Sequence, residues 1–452
     1  MVSDTLQDVL EAAEDPVTHF RNNDISWQPY VFEDEYTNWI EEQRAVRESC
    51  AVVDQSYHME ILEIAGADAI ELLESLAVNS FENVRTKDPP RALNYLTCNQ
   101  DGFVIGDVIV FHLGEDYFHS VGSEWINNWI RFNAERHDYD VELEVPYGPF
   151  DTHNPPHFRF QIQGPDAMTV MDSVIDDLPD ISFWSMDTVE IDGVKTWALG
   201  HGMAATAGLE IFGPYQHHDE VLDKILGAGE DFGIRQLGTM AYKTGKIGSG
   251  WFVAAVPAIY TGEDMREYRE WLGADTMEAN LSIGGSFVGD SIEEYYMTPL
   301  EQGKERIISF DHDFVGREAL ENMVDEPHRE PVTLVWNSDD VVKVYRSLFE
   351  EGPTYKYIDH PDTASRWSVS HYDEVRKDDE LIGISKYPGY LYYERKMLSL
   401  AVVDPAYSEL GTEVTMIWGD QSAKQKIERH EPVEIRASVA SIPYISGGRR
   451  EM

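Results

Sequence analysis

The stretch from 94 to 113, NYLTCNQDGFVIGDVIVFHL, constrains the fold of this chain more than any other. It consists of an apolar run, a polar turn that ends in Asp-Gly, and a second apolar run. Asp-Gly between two hydrophobic runs is a strong signal for a β-hairpin. A hairpin alone does not account for Asp107, which follows Gly106 and stands between Ile105 and Val108. A carboxylate among β-branched residues needs a partner or must face a site, so we predict that this hairpin borders a functional site.

The net charge of the chain is −48, from 83 acidic and 35 basic residues, and it excludes several classes of partner. Nucleic-acid phosphates and anionic membrane surfaces would both be repelled, so neither is expected to bind. The acids are spread along the whole chain, which favours a salt-requiring (halophilic) source, because concentrated salt screens such repulsion. We predict a cytoplasmic protein, since neither a signal peptide nor an apolar run of about 18 residues is present.

The length of 452 residues predicts two or three domains. Residues 1–50 are expected to be a helical segment, and residues 51–325 to alternate strands and helices. Residues 330–452 contain short strands between turn residues, which predicts a small β-barrel or sandwich with a long polar insertion at about 351–378.

Two segments within 51–325 look alike, EILEIAGADAIELLESL and FRFQIQGPDAMTVMDSV. Both combine a strand, a Gly-x-Asp-Ala turn and a helix, which indicates a weak internal repeat of two α/β halves. Two ordinary strand–helix joins would give the same pattern, because Gly-x-Asp-Ala is a generic helix start.

Motif searches exclude the common cofactor and metal signatures. No P-loop, dinucleotide fingerprint, HExxH pattern or GxSxG elbow is present. His217 and His218 are adjacent and cannot share one face, so no metal site is expected and the pair is interpreted as a solvated loop. Cys50 and Cys98 are isolated, form no metal motif or disulfide framework, and are predicted to be buried thiols.

What remains is a set of polar residues beside apolar runs. Glu210 stands out, because it lies between Leu209 and Ile211 and a glutamate is almost never fully buried without a partner. The other members have an ordinary packing explanation as well as a functional one, and they are Asp54, Tyr57, His58, Gln161, Gln163, Tyr242 and Trp251.

Blocks spread nearly end to end resemble the tetrahydrofolate-dependent aryl O-demethylases of the vanillate and syringate type, a branch of the glycine-cleavage T-protein (aminomethyltransferase) superfamily. They include CNQDGFVIGDVIVF, RFQIQGPDA, HGMAATAGLEIFGP, FGIRQLGTMAYKTGKIGSGW and SIGGSFVGDSIEEYYMTPLE. The resemblance implies an α+β, T-protein-like folate-binding fold of two α/β lobes plus a C-terminal β-barrel domain. It also implies tetrahydrofolate as cofactor and a small-molecule methyl donor as the second partner.

The resemblance implies four cofactor contacts. Glu210 would bind the aminopyrimidinone edge of the pterin, since a carboxylate can accept two parallel N–H bonds. Gln163 would add an amide contact, Trp251 would pack on the cofactor, and Asp107 would line the folate channel.

The resemblance also implies the catalytic and substrate-binding residues. Tyr242 occupies the position of the family's catalytic tyrosine, and a neutral tyrosine can protonate the phenolate leaving group as the methyl group moves to the pterin N5. His58 and Tyr30 would flank the substrate and take part in catalysis. Ser123 would line the substrate site.

Two departures from the family pattern bear on the chemistry. The T protein carries paired aspartates where this chain has Gly106 and Asp107, so we expect open space at position 106 and no aminomethyl-transfer acid. Ser123 stands where vanillate enzymes carry an arginine for the substrate carboxylate. Either Lys243 or Arg235 replaces that arginine, or the substrate lacks a carboxylate, which we slightly prefer.

The predicted function is methyl transfer from a methoxylated aromatic, or a related methyl donor, to tetrahydrofolate, giving a demethylated product and 5-methyltetrahydrofolate. Three alternatives stay open: a glycine-cleavage-type aminomethyltransferase, a dimethylsulfoniopropionate-type demethylase, and a non-catalytic folate-binding protein. The missing aspartate counts against the first, and the presence of Tyr242 counts against the last.

Overall fold

The structure is a computed structural model that describes residues 4–23, 33–147, 155–203, 206–253, 256–361 and 370–445. Its α-helices are α1 (Leu6–Ala12), α2 (Pro16–Asn22), α3 (Trp39–Glu48), α4 (Ala69–Leu76), α5 (Glu82–Thr86), α6 (Glu124–Arg136), α7 (Ala167–Val174), α8 (His218–Gly229), α9 (Thr239–Ser249), α10 (Arg266–Trp271), α11 (Arg317–Met323) and α12 (Ser338–Arg346). Its strands are β1 (Ala51–Asp54), β2 (Glu60–Ala65), β3 (Arg91–Cys98), β4 (Val104–Gly114), β5 (Tyr117–Gly122), β6 (Glu142–Tyr147), β7 (His157–Gln163), β8 (Met186–Ile191), β9 (Val194–Gly200), β10 (Gly208–Pro214), β11 (Arg235–Gln236), β12 (Ile283–Gly284), β13 (Glu330–Trp336), β14 (Ser370–Lys377), β15 (Glu380–Leu391), β16 (Lys396–Val403), β17 (Glu413–Trp418) and β18 (Val433–Ala440).

Three short helices lie before the first strand, and each begins at a side-chain cap. Thr5 and Asp8 form a capping box at α1, Asp15 caps α2, and Asn38 caps α3. Such caps satisfy the backbone N–H groups that the start of a helix leaves without partners. The described part of the first 50 residues is therefore mainly helical.

Two sheets form the region that the sequence assigns to two α/β lobes. The order is β3-β4-β5-β2-β6 in the five-stranded sheet and β11-β1-β7-β10-β9-β8 in the six-stranded sheet. The chain crosses between them immediately, because β1 belongs to the six-stranded sheet and β2 to the five-stranded sheet. An apolar layer joins the two sheets, in which Ile61, Phe111 and Val121 pack with Leu199 and Phe212.

The predicted repeat has the same backbone geometry in both sheets. β2 leads through Gly66 into α4, and β7 leads through Gly164 into α7. Both glycines have positive φ, 140° and 127°. A Cβ added to Gly66 would lie 2.2 Å from the Asp140 carbonyl oxygen, and one added to Gly164 would lie 2.5 Å from the Ser49 carbonyl oxygen. Because only glycine fits such a turn without moving the main chain, it occurs in both halves of the repeat.

Residues 94–113 form the predicted hairpin from β3 and β4. The antiparallel pairing places Leu96 opposite Asp107. The Asn99 side chain closes the turn, since its Oδ1 accepts two backbone N–H bonds at 3.1 and 3.0 Å. Cys98 at the end of β3 is buried, as is Cys50, which agrees with the prediction of buried thiols.

The C-terminal strands close into a six-stranded β-barrel. Their order is β14-β15-β16-β13-β18-β17, and pairing of β14 with β17 completes the ring. Trp336, Met416 and Trp418 are among the apolar residues that pack together in the barrel's core. The predicted fold class, two α/β lobes plus a C-terminal β-barrel, is confirmed. The domain boundaries drawn at 50, 325 and 330 stay predictions.

The insertion predicted at 351–378 is too long, because its last part, 370–377, is strand β14 of the barrel. This strand reads as polar in the sequence, yet His371 and Asp373 are buried and pair with each other at 3.0 Å. Mutual hydrogen bonding lets polar side chains occupy a buried strand. Residues 362–369 of the insertion lie outside the described part of the chain.

Candidate active site

Tyr242, on α9, is held by two side chains from the turn that connects the two sheets. Its phenol oxygen lies 3.1 Å from Gln55 Nε2 and 3.1 Å from His58 Nε2. The Tyr242 and His58 rings meet edge to face, with centroids 5.5 Å apart. The turn is fixed by the backbone N–H of Gln55, which donates to the Arg159 carbonyl at 2.8 Å. The structure thus brings Tyr242 and His58 together and adds Gln55, which the sequence pattern did not single out.

His58 stays neutral over the ordinary pH range. Its pKa is lowered to about 4, mainly by burial and also by the nearby Arg159 charge, and the carboxylates of Asp54 and Glu210 only partly oppose this. A neutral imidazole can accept or donate a hydrogen bond at Nε2, depending on its tautomer.

We expect the rate of the methyl transfer predicted from the sequence to show no inflection from His58 between pH 5 and 7, because a group whose pKa is lowered to about 4 keeps its charge state in that interval. A pH–rate profile of wild type and His58→Gln checks this. An inflection near pH 6.5 that is present in wild type and absent in His58→Gln would contradict it. An inflection in both proteins points to Glu60, whose pKa burial raises to about 7.

Glu210, on β10, is buried and shares its carboxylate with two neighbours. Oε1 forms an ion pair with Arg159 on β7, and Oε2 lies 3.4 Å from His201 Nδ1. Burial alone would raise the pKa of Glu210, but Arg159 and His201 more than offset it and lower the value to about 2. The guanidinium lies over the rings of Phe111 and Phe212, 4.8 and 4.3 Å from their centroids. The site therefore keeps an ionised acceptor within an apolar layer.

Gln163 and a pocket lie beside Tyr242. Gln163 Oε1 accepts from the backbone N–H of Met203 at 3.1 Å, and Met203 Sδ lies 3.0 Å from Gln55 Nε2. A pocket opens next to Gln163 and Tyr242. Its walls are mainly apolar and come from α3, α9 and the barrel, with Val46, Leu237, Ala241, Leu391 and Ile445 among them.

Asp107, on β4, faces Trp251 and a lysine that the sequence pattern did not reveal. Its Oδ2 lies 3.4 Å from Trp251 Nε1 and 3.0 Å from Lys304 Nζ. The Asp107 side chain is 2% exposed. The partner that a carboxylate in this position requires is therefore Lys304, which lies nearly 200 residues further along the chain.

Trp251 connects the two groups of predicted residues. It contacts Asp107, and its ring centroid lies 6.4 Å from that of His201, which neighbours Glu210. Asp107 of the five-stranded sheet and the His201–Glu210 pair beside the six-stranded sheet therefore both lie next to Trp251. The individual roles predicted for Tyr242, His58, Gln163, Glu210, Trp251 and Asp107 stay predictions.

The expectation of open space at Gly106 is wrong. A Cβ at this position would lie 2.6 Å from Ile126 Cδ1 and 2.6 Å from Trp125 Nε1, so α6 fills the room beside it. Successive residues of a strand point to opposite faces, and only Asp107 points toward Trp251. Position 106 therefore carries glycine because α6 packs against it, and a carboxylate there would clash with that helix.

Of the two remaining predicted substrate residues, the structure describes Ser123. Ser123 lies between the end of β5 and the start of α6. Its neighbour Gly122 pairs with Glu60, the first residue of β2, which follows His58 by two positions in the sequence. Tyr30 lies outside the described residues. Arg235, a candidate for the substrate carboxylate, donates to the carbonyl of Ile234 at 2.9 Å.

The interpretation of His217 and His218 as a solvated pair is wrong for His218. Its side chain is 11% exposed, and its Nε2 lies 2.8 Å from Asp54 Oδ2. Asp54 also accepts from Ser56 Oγ at 2.6 Å. The His218–Asp54 pair stabilises the end of β1. It lies on the face of the sheet that carries Phe160, and Gln163 lies on the opposite face.

Across the described ranges, no group of three or more His, Cys, Asp or Glu side chains could hold a metal ion. Within the same ranges, every helix is too short or too polar to cross a membrane.

Comparison with known proteins decides the family. The model of the GCVT N-terminal domain matches residues 15–255. Syringate O-demethylase of Sphingobium sp. is 38% identical, over 98% of this chain and 97% of its own. The chain belongs to the GCVT family. Sesamin methylene transferase of Sinomonas sp. is 28% identical, over 85% of this chain and 83% of its own.

A solved structure shares the GCVT fold of this chain. The glycine cleavage system aminomethyltransferase T of Bartonella henselae superposes with a TM-score of 0.62, covering 95% of this chain and 96% of that one at 15% identity. The prediction that the chain is a one-carbon-transferring enzyme of the tetrahydrofolate-dependent demethylase branch, with tetrahydrofolate as its cosubstrate, is confirmed.

Proposed function

We propose that this GCVT-family enzyme moves a methyl group from a methoxylated aromatic to tetrahydrofolate. The observation that carries the proposal is the placement of Tyr242, whose phenol oxygen has two nitrogen neighbours at 3.1 Å and whose side chain is among those that line a largely apolar pocket. An ether oxygen needs a proton donor to leave, and the pocket suits an aromatic ring.

The residues present fit a reduced pterin, which carries several N–H donors. Glu210 is an ionised acceptor, and the Gln163 side chain adds an amide group. Asp107 Oδ1 is buried, and no donor from the described residues reaches it. The Trp251 indole offers a flat apolar face for ring packing.

Tyr242 acts as the general acid. Tetrahydrofolate supplies the N5 atom that takes up the methyl group. As the methyl C–O bond breaks, Tyr242 gives its proton to the ether oxygen, so that a neutral phenol leaves. Gln55, and His58 in the tautomer with hydrogen on Nε2, donate to the tyrosinate that remains. The proton lost by the cosubstrate nitrogen restores Tyr242, and atoms and charges balance over the cycle.

We infer that the donor lacks a carboxylate. Ser123 cannot balance a carboxylate charge. The pocket beside Tyr242 contains Arg47, but its guanidinium is already paired with Glu394, 3.3 Å away. A neutral methoxyphenol would pack against the apolar walls without breaking this ion pair, whereas the carboxylate of an arene carboxylate would be repelled by the Glu394 carboxylate.

A donor screen tests the function. Wild type and Tyr242→Phe are incubated with tetrahydrofolate and a series of methoxyphenols and methoxybenzoates, and 5-methyltetrahydrofolate is followed by mass spectrometry. We expect product from wild type, with larger kcat/KM for the methoxyphenols. Absence of methyl transfer from every aromatic donor would contradict the proposal. Methylene transfer that depends on an added lipoyl protein would support the aminomethyltransferase alternative.

We infer further that the enzyme serves aromatic degradation in the cytoplasm of a salt-rich cell. The support is the charge of −48, whose self-repulsion weakens as the Debye length falls from about 10 Å at 0.1 M salt to about 3 Å at 1 M. The same screen at both salt concentrations tests this, and a rate that falls with added KCl would contradict it.

A further inference from the structure

Lys304 and Asp107 form a nearly buried ion pair, although the chain is poor in basic residues. Nζ and Oδ2 are 3.0 Å apart, and the side chains of Lys304 and Asp107 are 11% and 2% exposed. Trp251 Nε1 contacts the same oxygen at 3.4 Å. The other oxygen, Oδ1, is buried, and within the described structure no donor reaches it.

The backbone fixes the position of Lys304. The residue ends a tight turn in which its N–H donates to the Pro299 carbonyl at 2.9 Å. The chain just before this turn is bonded to the start of β4, since the N–H of Val104 donates to the Met297 carbonyl at 2.8 Å. The ammonium is therefore held against Asp107 by a short, ordered stretch of chain.

We propose that Lys304 is a positioning residue, which fixes Asp107 as a charged acceptor whose Oδ1 receives an N–H of the reduced pterin. This inference rests on the proposed function. An ammonium beside one oxygen compensates the carboxylate charge, which burial would otherwise oppose. A carboxylate held in this form accepts hydrogen bonds and donates none. Asp107 therefore binds and does not protonate, and proton donation is left to Tyr242.

Among the described residues, the charges of this pair affect the pKa of two other titratable groups, Tyr387 and Cys98. Burial and the Asp107 charge raise the pKa of Tyr387, so that it stays neutral. Burial raises the pKa of Cys98, which Lys304 only partly offsets, so that it stays a thiol. Neither group can replace the positive charge if Lys304 is removed.

Binding measurements on four variants test the proposal. Tetrahydrofolate affinity is measured by anaerobic calorimetry from pH 6 to 9 for Lys304→Met, Lys304→Arg, Asp107→Asn and the double variant Lys304→Met/Asp107→Asn. Melting temperatures report folding. Lys224→Met is the matched control, since Lys224 pairs with Asp192 at 3.4 Å on the surface.

Lys304→Met is expected to weaken binding about 10- to 100-fold at pH 6, the range for a lost hydrogen bond to a charged group. Lys304→Arg should stay near wild type. Asp107→Asn should bind weakly at every pH, and adding Lys304→Met to it should cost nothing more.

Two results would overturn the proposal: unchanged affinity in a folded Lys304→Met, or an equal further loss when Lys304→Met is added to Asp107→Asn. These outcomes are separate from failure of the proposed function, which would appear as wild type that binds tetrahydrofolate but transfers no methyl group from any donor.

Discussion

Replacing Tyr242 by phenylalanine is expected to lower kcat for demethylation about 10²- to 10⁴-fold, the usual contribution of a general acid. The ring and its packing remain, while the oxygen that lies 3.1 Å from both Gln55 and His58 is removed. Without a proton donor, the phenolate has to leave with its full charge in a largely apolar site. Single-turnover assays with tetrahydrofolate and a methoxyphenol measure the effect.

Binding provides the control for this variant. Tetrahydrofolate affinity should change by less than about 3-fold, because a hydroxyl that acts in the transition state contributes little to ground-state binding. The phenylalanine also removes one of the two hydrogen-bond partners of the buried Gln55 amide nitrogen, so a modest loss of thermal stability is expected. Full turnover in a folded Tyr242→Phe would reject Tyr242 as the acid.

Replacing Glu210 by alanine is expected to destabilise the fold by about 3–5 kcal/mol, the range for removing one partner of a buried ion pair. The Glu210 and Arg159 side chains are 4% and 3% exposed, so the guanidinium would keep an uncompensated charge beside Phe111 and Phe212. The lowered pKa of Glu210 also sets the direction in which stability changes with pH. Its stabilisation is fully present above the unfolded value near 4.5 and is lost as the pH falls toward about 2. Urea unfolding at pH 7 measures the loss.

The double variant Arg159→Met/Glu210→Leu separates stability from binding. Replacing both charges by apolar side chains of similar size should restore most of the stability, since buried pairs are often matched by hydrophobic packing. It should not restore tetrahydrofolate affinity, because the pterin would still lack its carboxylate acceptor. Recovery of wild-type affinity in the double variant would reject the role of Glu210 in binding.

Local sequence patterns predicted the local structure well. The Asp-Gly turn indicated the 94–113 hairpin, and Gly-x-Asp-Ala indicated two strand–helix joins with the same backbone geometry. The pattern of short strands left a barrel or a sandwich open for the C-terminal region, and the resemblance to a known family selected the barrel and supplied the tetrahydrofolate cosubstrate. Strand β14 was missed because the pairing of His371 with Asp373 lets a polar sequence be buried.

The partners of the predicted site residues could not be read from the sequence. Arg159 and Lys304 pair with carboxylates on other strands or far along the chain, and no local pattern encodes such contacts. Gln55 lies within the run that contains His58, so its position was a usable signal. The role of Gly106 was misjudged because the packing of α6 against β4 is a tertiary contact.

The turn between β1 and β2 has a consequence for how this enzyme can diversify. Its side chains contact the Tyr242 oxygen, and it is also one of the places where the chain passes from one sheet to the other, so a change in its length would affect both. The pocket beside Tyr242 has much of its wall on α3 and the barrel instead. Under the proposed function, substitutions at the pocket wall can therefore change donor preference while the residues around the Tyr242 oxygen stay the same. Laboratory libraries aimed at new methyl ethers should randomise those wall positions and leave residues 55–58 unchanged.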